Sequence, residues 1–278
     1  MIAAGSPGPL TRKVRVIAVD QGGVREDRTE VCEERMMQVF VNDVPFVRLA
    51  LTNDRLEEFI NGFLVCEGVV TSPDVVEVVR IDSDGIRVRV DGDALRHPEL
   101  ELRTSGCPGI ACGIDACRRP LPDGPTVEMS YLLRAAGLIN EHARLWRRTG
   151  GTHCTVITDP SGEVIAAAED MGRHTSVDKA VGSALLDGAD LSSALLVCTG
   201  RLPSGMVVKA YRAGIPIVVS NTAPMLAGID LAERLNMTLV GFARPPRLTI
   251  YSHPGRILWN GVDISSVAQG DKRSSAPA

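Results

Sequence analysis

Three of the chain's seven cysteines, Cys107, Cys112 and Cys117, crowd into one stretch that includes Gly106-Cys107-Pro108-Gly109-Ile110-Ala111-Cys112-Gly113. The nucleophile of sulfur chemistry is a thiolate, and nearby cations such as Arg103, Arg118 and Arg119 favour that form. One thiolate here can accept a sulfane sulfur as a persulfide, and a second can attack that persulfide or reset the site. Two plainer readings stay open on spacing alone. A structural zinc could use Cys107, Cys112, Cys117 and His153, although four-residue gaps are uncharacteristic of zinc. The cysteines could also be incidental to a loop.

Further along, Glu169-Asp170-Met171-Gly172-Arg173-His174, followed by Asp178-Lys179, stands where a strand enters a helix. Such a junction presents backbone N–H groups to an anion, with Arg173 and His174 as side-chain donors. A capped helix with a structural ion pair is the alternative. Arg201 lies in a second junction, Thr199-Gly200-Arg201-Leu202-Pro203-Ser204, with Ser204 as the expected N-cap, and Ser220-Asn221-Thr222 ends a third strand. Ligands of α/β sheets gather outside the carboxyl ends of the strands, so these segments share one rim. The run Phe242, Ala243, Arg244, Pro245, Pro246, Arg247 spaces two guanidiniums beside an aromatic ring, which suits pyrophosphate and a stacked base, or else forms a solvated loop. His153 and His253 have no diagnostic spacing and are expected to be structural.

These groups need elements to hold them. Residues 14–19 and 37–41 read as strands, and residues 54–66 as a helix with an Asp54/Glu57 capping box. Residues 75–81 and 86–90 flank a hairpin turn, which makes the first hundred residues a small α+β unit. Residues 130–146 read as a helix broken near Gly137. Strands at 154–157, 164–167, 194–199, 215–220 and 237–242 then alternate with helices at 176–186, 204–212 and 224–235, and residues 248–251 add an edge strand. Short apolar strands joined by helices indicate a sheet covered on both faces. The expected fold is therefore α/β with a smaller α+β N-terminal domain. The boundaries are 12–102 for that domain, 103–127 for a flexible cysteine-bearing loop, 128–262 for the α/β domain and 263–278 for a mobile tail.

Composition narrows the function. The formal charge of −4 gives no global field for nucleic acid or an acidic membrane surface, so an anionic partner must be held locally. No apolar run is long enough to span a membrane and no secretory leader is evident, so a cytoplasmic location is expected. Cys32, Cys66, Cys154 and Cys198 stand singly in apolar contexts, as reduced thiols do.

Taken together, the segments resemble the FdhD family of formate dehydrogenase accessory sulfurtransferases. The resemblance rests on Asn61-Gly62-Phe63-Leu64-Val65-Cys66-Glu67-Gly68, Thr149-Gly150-Gly151-Thr152-His153, residues 169–179, Ala213-Gly214-Ile215-Pro216-Ile217 and residues 239–254, in that order. It implies a sulfurtransferase that takes persulfide sulfur from a cysteine desulfurase and passes it to the bis-guanylyl molybdenum cofactor (Mo-bis-MGD), a bound substrate destined for formate dehydrogenase. It also implies a homodimer and a cytidine-deaminase-like C-terminal α/β sandwich, without the deaminase zinc signature. By position, Cys107 matches the family's persulfide carrier, Cys112 its partner thiol, and residues 242–247 its cofactor-binding segment. The family usually has C-x2-C in this loop, whereas this chain has C-x4-C plus Cys117, which leaves Cys112 as second candidate for the carrier. No metal of the protein's own is implied. The alternatives are a cofactor-binding chaperone that transfers no sulfur and the zinc module.

Overall fold

A computed structural model describes residues 9–83, 85–93, 117 and 119–267. Cys107 and Cys112 lie outside the described residues.

The first described elements are a ribbon of two ten-residue strands, β1 (Thr11–Asp20) and β2 (Gly23–Cys32), which among the described residues pair with each other alone. Strands β3 (Arg35–Val41) and β4 (Val44–Leu51), helix α1 (Leu56–Cys66), and strands β5 (Val76–Ile81) and β6 (Ile86–Val90) follow. The four strands form a sheet in the order β4-β3-β6-β5, and Phe59, Ile60, Phe63 and Leu64 of α1 pack onto it beside Met37, Val39, Leu51 and Ile86.

The larger layer is built from β8 (His153–Thr158), β9 (Val164–Asp170), α4 (Arg173–Leu186), β10 (Leu195–Cys198), α5 (Ser204–Arg212), β11 (Ile217–Ser220), α6 (Leu226–Arg234), β12 (Thr238–Arg244) and β13 (Arg247–Ser252). It is preceded by β7 (Val127–Glu128), α2 (Met129–His142) and α3 (Arg144–Thr149), and followed by β14 (Ile257–Trp259) and β15 (Val262–Asp263). The six-stranded order is β13-β12-β11-β10-β8-β9, with β10, β11 and β12 parallel and the flanking pairs antiparallel. Alternation of side chains along a strand explains the two cores. Leu195, Val197, Ile217, Val219 and Val240 point to the face covered by α2, while Leu196, Cys198, Val218 and Leu239 point to the face covered by α4, α5 and α6.

The two layers join where α1 crosses α4, through contacts that leave no room for side chains: a Cβ on Gly62 would lie 1.9 Å from the Asp178 carbonyl oxygen, and one on Gly182 would lie 1.8 Å from that of Glu58. Two buried charge clusters flank the crossing. Lys179 Nζ forms an ion pair with Asp170 Oδ2 (2.8 Å) and donates to Asp54 Oδ1 (2.8 Å) and Thr52 Oγ1 (2.6 Å), and Lys209 Nζ donates to Glu67 Oε1 (2.6 Å) and Asp178 Oδ1 (2.7 Å). Among the described residues, no helix is long and apolar enough to cross a membrane.

Several local expectations are corrected. Asp54 does not cap α1; Arg55 precedes the helix with φ 53°, and Asp54 is drawn to Lys179 instead. Helix α2 runs through Gly137 and ends at His142, with Ala143 as its C-cap. Ser204 is the first residue of α5 rather than its N-cap, which is Pro203. Asp263 pairs within β15 and residues 264–267 are helical, so regular structure continues past position 262. The far end of the cysteine-bearing stretch is also tied down. Cys117 is only 6% exposed and packs in the core with Cys66, and Tyr211 Oη donates to the Arg119 carbonyl (2.9 Å). Leu121 N–H donates to the Leu235 carbonyl (2.9 Å).

Candidate anion-binding rim

The carboxyl ends of β10, β11 and β12 lie side by side because those strands are parallel, and their loops are stitched together by short polar side chains. Ser220 Oγ donates to the Gly200 carbonyl (2.7 Å) and accepts from Thr222 N–H (3.0 Å), and Phe242 N–H donates to the Thr222 carbonyl (3.0 Å). Leu202 and Pro224 add a parallel backbone bridge, with Leu202 N–H donating to the Ala223 carbonyl (3.1 Å). Such a network makes a fixed platform. Arg201 stands exposed on it.

The entrance of α4 closes one side. Gly200 is needed there, since a Cβ at that position would lie 2.8 Å from Cβ of Arg173. Strand β8 runs antiparallel to β10, so its first residue, His153, arrives at the same rim and shares a 2.9 Å hydrogen bond with Thr199 Oγ1, which also accepts from Cys154 N–H (3.1 Å). Burial first, and then the charges of Arg173 and Arg201, push the His153 pKa down, which keeps the ring neutral at pH 7. His153 bonded to Thr199, Arg173 packed against Gly200 and Arg201 next in the chain form one group. Residue spacing assigns His153 a merely structural role; its place at the rim follows from a topology that spacing does not reveal.

The other side is the β12–β13 hairpin. Residues 242–247 are not a loop after a strand: Arg244 ends β12, Arg247 begins β13 and the Pro245-Pro246 turn joins them. Registers Gly241↔Thr249 and Arg244↔Arg247 differ by one residue, a bulge absorbed by Phe242 at φ 50°. The bulge sends Ala243 into the core and leaves the Phe242 ring 43% exposed. A bulky residue with φ above zero is uncommon, and such outliers cluster at binding sites. Arg244 and Arg247 face each other directly across the hairpin, an unfavourable like-charge pair that an anion would relieve. Arg244 Nε donates to the Asn221 carbonyl (2.9 Å), which ties this pair to the platform.

Other expected residues go elsewhere. His174 is buried and faces a cavity of about 160 Å³ lined by Phe63, Glu67, Thr175, Asp178 and Lys209, away from the Arg173–Arg201 group. The acids of 169–174 are structural: Glu169 accepts from the N–H groups of Leu145 (2.7 Å) and Trp146 (2.8 Å), and Asp170 is fully buried against Lys179 and Thr52. The zinc set is also disfavoured by geometry. Cys117 sits by Tyr211 at the end of α5, whereas His153 faces Thr199 at the opposite end of the sheet. Burial raises the thiol pKa of Cys154 to about 12, of Cys198 to about 11, and that of Cys66 strongly, so none of these supplies a thiolate at neutral pH.

Comparison with known proteins adds a family. The FdhD/NarQ family model matches residues 32–258. The chain is 33% identical over 250 residues to a sulfur carrier protein FdhD of Methanothermobacter thermautotrophicus, covering 86% of this chain and 98% of that protein. It is 33% identical over 262 residues to one of Bordetella bronchiseptica, covering 89% and 94%. A solved structure of a formate dehydrogenase accessory protein from Desulfotalea psychrophila superposes with a TM-score of 0.75 at 28% identity, over 90% of this chain and all (100%) of the other.

Proposed function

The chain belongs to the FdhD/NarQ family, and from that premise we propose that it is a sulfur carrier serving a formate dehydrogenase, with Cys107 or Cys112 as the carrier and the strand-end rim as the cradle for its acceptor. In the first step the carrier thiolate attacks the outer sulfur of a persulfide on a cysteine desulfurase. The donor leaves as a thiolate and the carrier becomes a persulfide. In the second, the partner thiolate attacks the inner sulfur, a Cys107–Cys112 disulfide forms, and the outer sulfur departs as sulfide to the molybdenum of the substrate, Mo-bis-MGD. Two equivalents of a cellular thiol then reduce the disulfide and leave as their own disulfide.

The observation that carries the acceptor half is the continuous polar rim, from Arg173, His153 and Arg201 to the opposed Arg244 and Arg247, with the Phe242 ring beside them. Guanidiniums match the pyrophosphates of a guanylyl cofactor, and an exposed ring can stack its base. Family relationship supports a homodimer and a cytidine-deaminase-like arrangement of the larger layer as parts of the same proposal.

The test is persulfide mapping. Incubation with an active cysteine desulfurase and cysteine should add about 32 Da of reducible sulfur to a peptide bearing Cys107 or Cys112. If both thiols are free and neither gains sulfur, the carrier reading fails and a cofactor chaperone takes its place.

A further inference from the structure

We infer that β1 is the pairing strand of the homodimer: two copies join β1 to β1, antiparallel, across a twofold axis at Val16. The inference rests on the dimer proposed above and names the surface that forms it.

The β1–β2 ribbon is held to the rest of the chain at its base, where Arg148 Nη2 donates to Glu30 Oε1 (2.5 Å) and to Thr11 Oγ1 (3.2 Å). Towards its far end Ile17, Val19 and Val24 are 61%, 71% and 72% exposed. A lone two-stranded ribbon is marginal in water, and each outer edge offers unpaired N–H and C=O groups to another strand.

The two edges differ in protection. Strand β2 carries Arg25, Glu26, Asp27, Arg28 and Glu30, the kind of charge run that blocks edge pairing, whereas residues 14–19 of β1 contain one charge, Arg15. The open edge is therefore that of β1.

Charge then selects the register. Centring on Val16 puts Val16 opposite the partner's Val16, Arg15 opposite the partner's Ile17, and Val14 opposite the partner's Ala18. Lys13 then faces the partner's Val19, and Arg12 the partner's Asp20, whose carboxylate also pairs with its own Arg25. Every pair is apolar, an aliphatic stem against an apolar side chain, or oppositely charged. Centring on Arg15 opposes two guanidiniums, and centring on Ile17 loses the Arg12–Asp20 pairs and shortens the overlap.

Directly opposed residues in an antiparallel pair have Cα atoms about 4.5 or 5.5 Å apart, within disulfide range. The full-length Val16→Cys protein, mildly oxidised, should give a covalent dimer whose peptide map shows a disulfide between the two copies of the substituted position, while Thr29→Cys on the outer edge of β2 should not. Arg12→Asp, on an exposed side chain, should raise the dimer dissociation constant at least about tenfold, with recovery at high salt. A dimer in light scattering that never cross-links through position 16 would overturn the interface and leave the homodimer standing. A monomer would overturn both.

Discussion

Asp178 is a carboxyl in an unusual setting. Complete burial raises its pKa from 3.8 to about 6, with Glu67 adding to the rise and Lys209 opposing it. Between those values the folded state binds more protons than the unfolded one. This group's contribution is thus fully present below pH 3.8 and is lost as the pH rises through about 6. Asp178→Asn should remove that slope, at most about 1.4 kcal/mol per pH unit, and urea midpoints of both proteins at several pH values will show it. Equal slopes would mean that Asp178 titrates normally. Lys209→Met leaves Glu67 and Asp178 buried without their cation and should cost about 3 to 5 kcal/mol at pH 7, read from the same urea curves. At the rim the outcome differs in kind. Arg244→Ala and Arg247→Ala touch exposed side chains and should leave thermal stability within about 0.5 kcal/mol of the parent. Each should weaken GDP, a probe for the guanylyl halves of the cofactor, by roughly 10- to 100-fold, equivalent to one charged hydrogen bond or two. Calorimetric titration checks both, and unaltered GDP affinity in both variants would remove the hairpin from the cradle.

Among the elements, the α1–α4 crossing is the least tolerant joint. Neither Gly62 nor Gly182 has a positive φ; each is glycine because a partner backbone occupies the Cβ position. Gly182→Ala must push the helices apart, moving both buried charge clusters, and should cost at least about 3 kcal/mol or prevent soluble expression. Gly150→Ala, at a position with open space around it but φ 67°, should cost no more than about 1 to 2 kcal/mol, and chemical denaturation of the two will rank them. The glycines are visible in the sequence; the crossing is not. What periodicity does reveal is the run of apolar strands: β10 and β11 lie within their expected ranges, because residues buried on both faces need no alternation. It misses β2, whose Arg25 to Glu30 charges leave no apolar face, and β4, entered through Val44-Pro45. The turn before β4 is legible: Asn42 and Asp43 both have positive φ, a type I′ pattern that Asn-Asp between apolar runs signals. Phe242 stands out in the sequence for its ring, but its bulge depends on the register of β13 and leaves no mark in local composition.

For the whole molecule, sulfur uptake and sulfur delivery are assigned to different parts of the chain, and that division is itself testable. On the proposed mechanism, uptake needs the carrier thiol of the Cys107/Cys112 pair together with a donor protein, and release needs its partner thiol. Acceptor binding on the same mechanism needs the rim, a platform set by Ser220, Thr222, Gly200 and Asn221, to which the buried Cys198 thiol adds a bond to the Gly200 carbonyl (3.7 Å). A lesion in one part should leave the other working. Arg247→Ala should load sulfur from a desulfurase to the parental level by mass spectrometry, yet fail to support formate dehydrogenase activity in cells lacking the native protein. Cys107→Ala with Cys112→Ala should do the reverse, binding GDP with parental affinity while taking up no sulfur. A chaperone without sulfur transfer predicts a different pair of results, because the cysteine variant would still support formate dehydrogenase. A zinc module predicts a third, in which the cysteine variant loses stability and GDP affinity together. The two variants, each scored for loading, binding and activity, therefore separate all three readings.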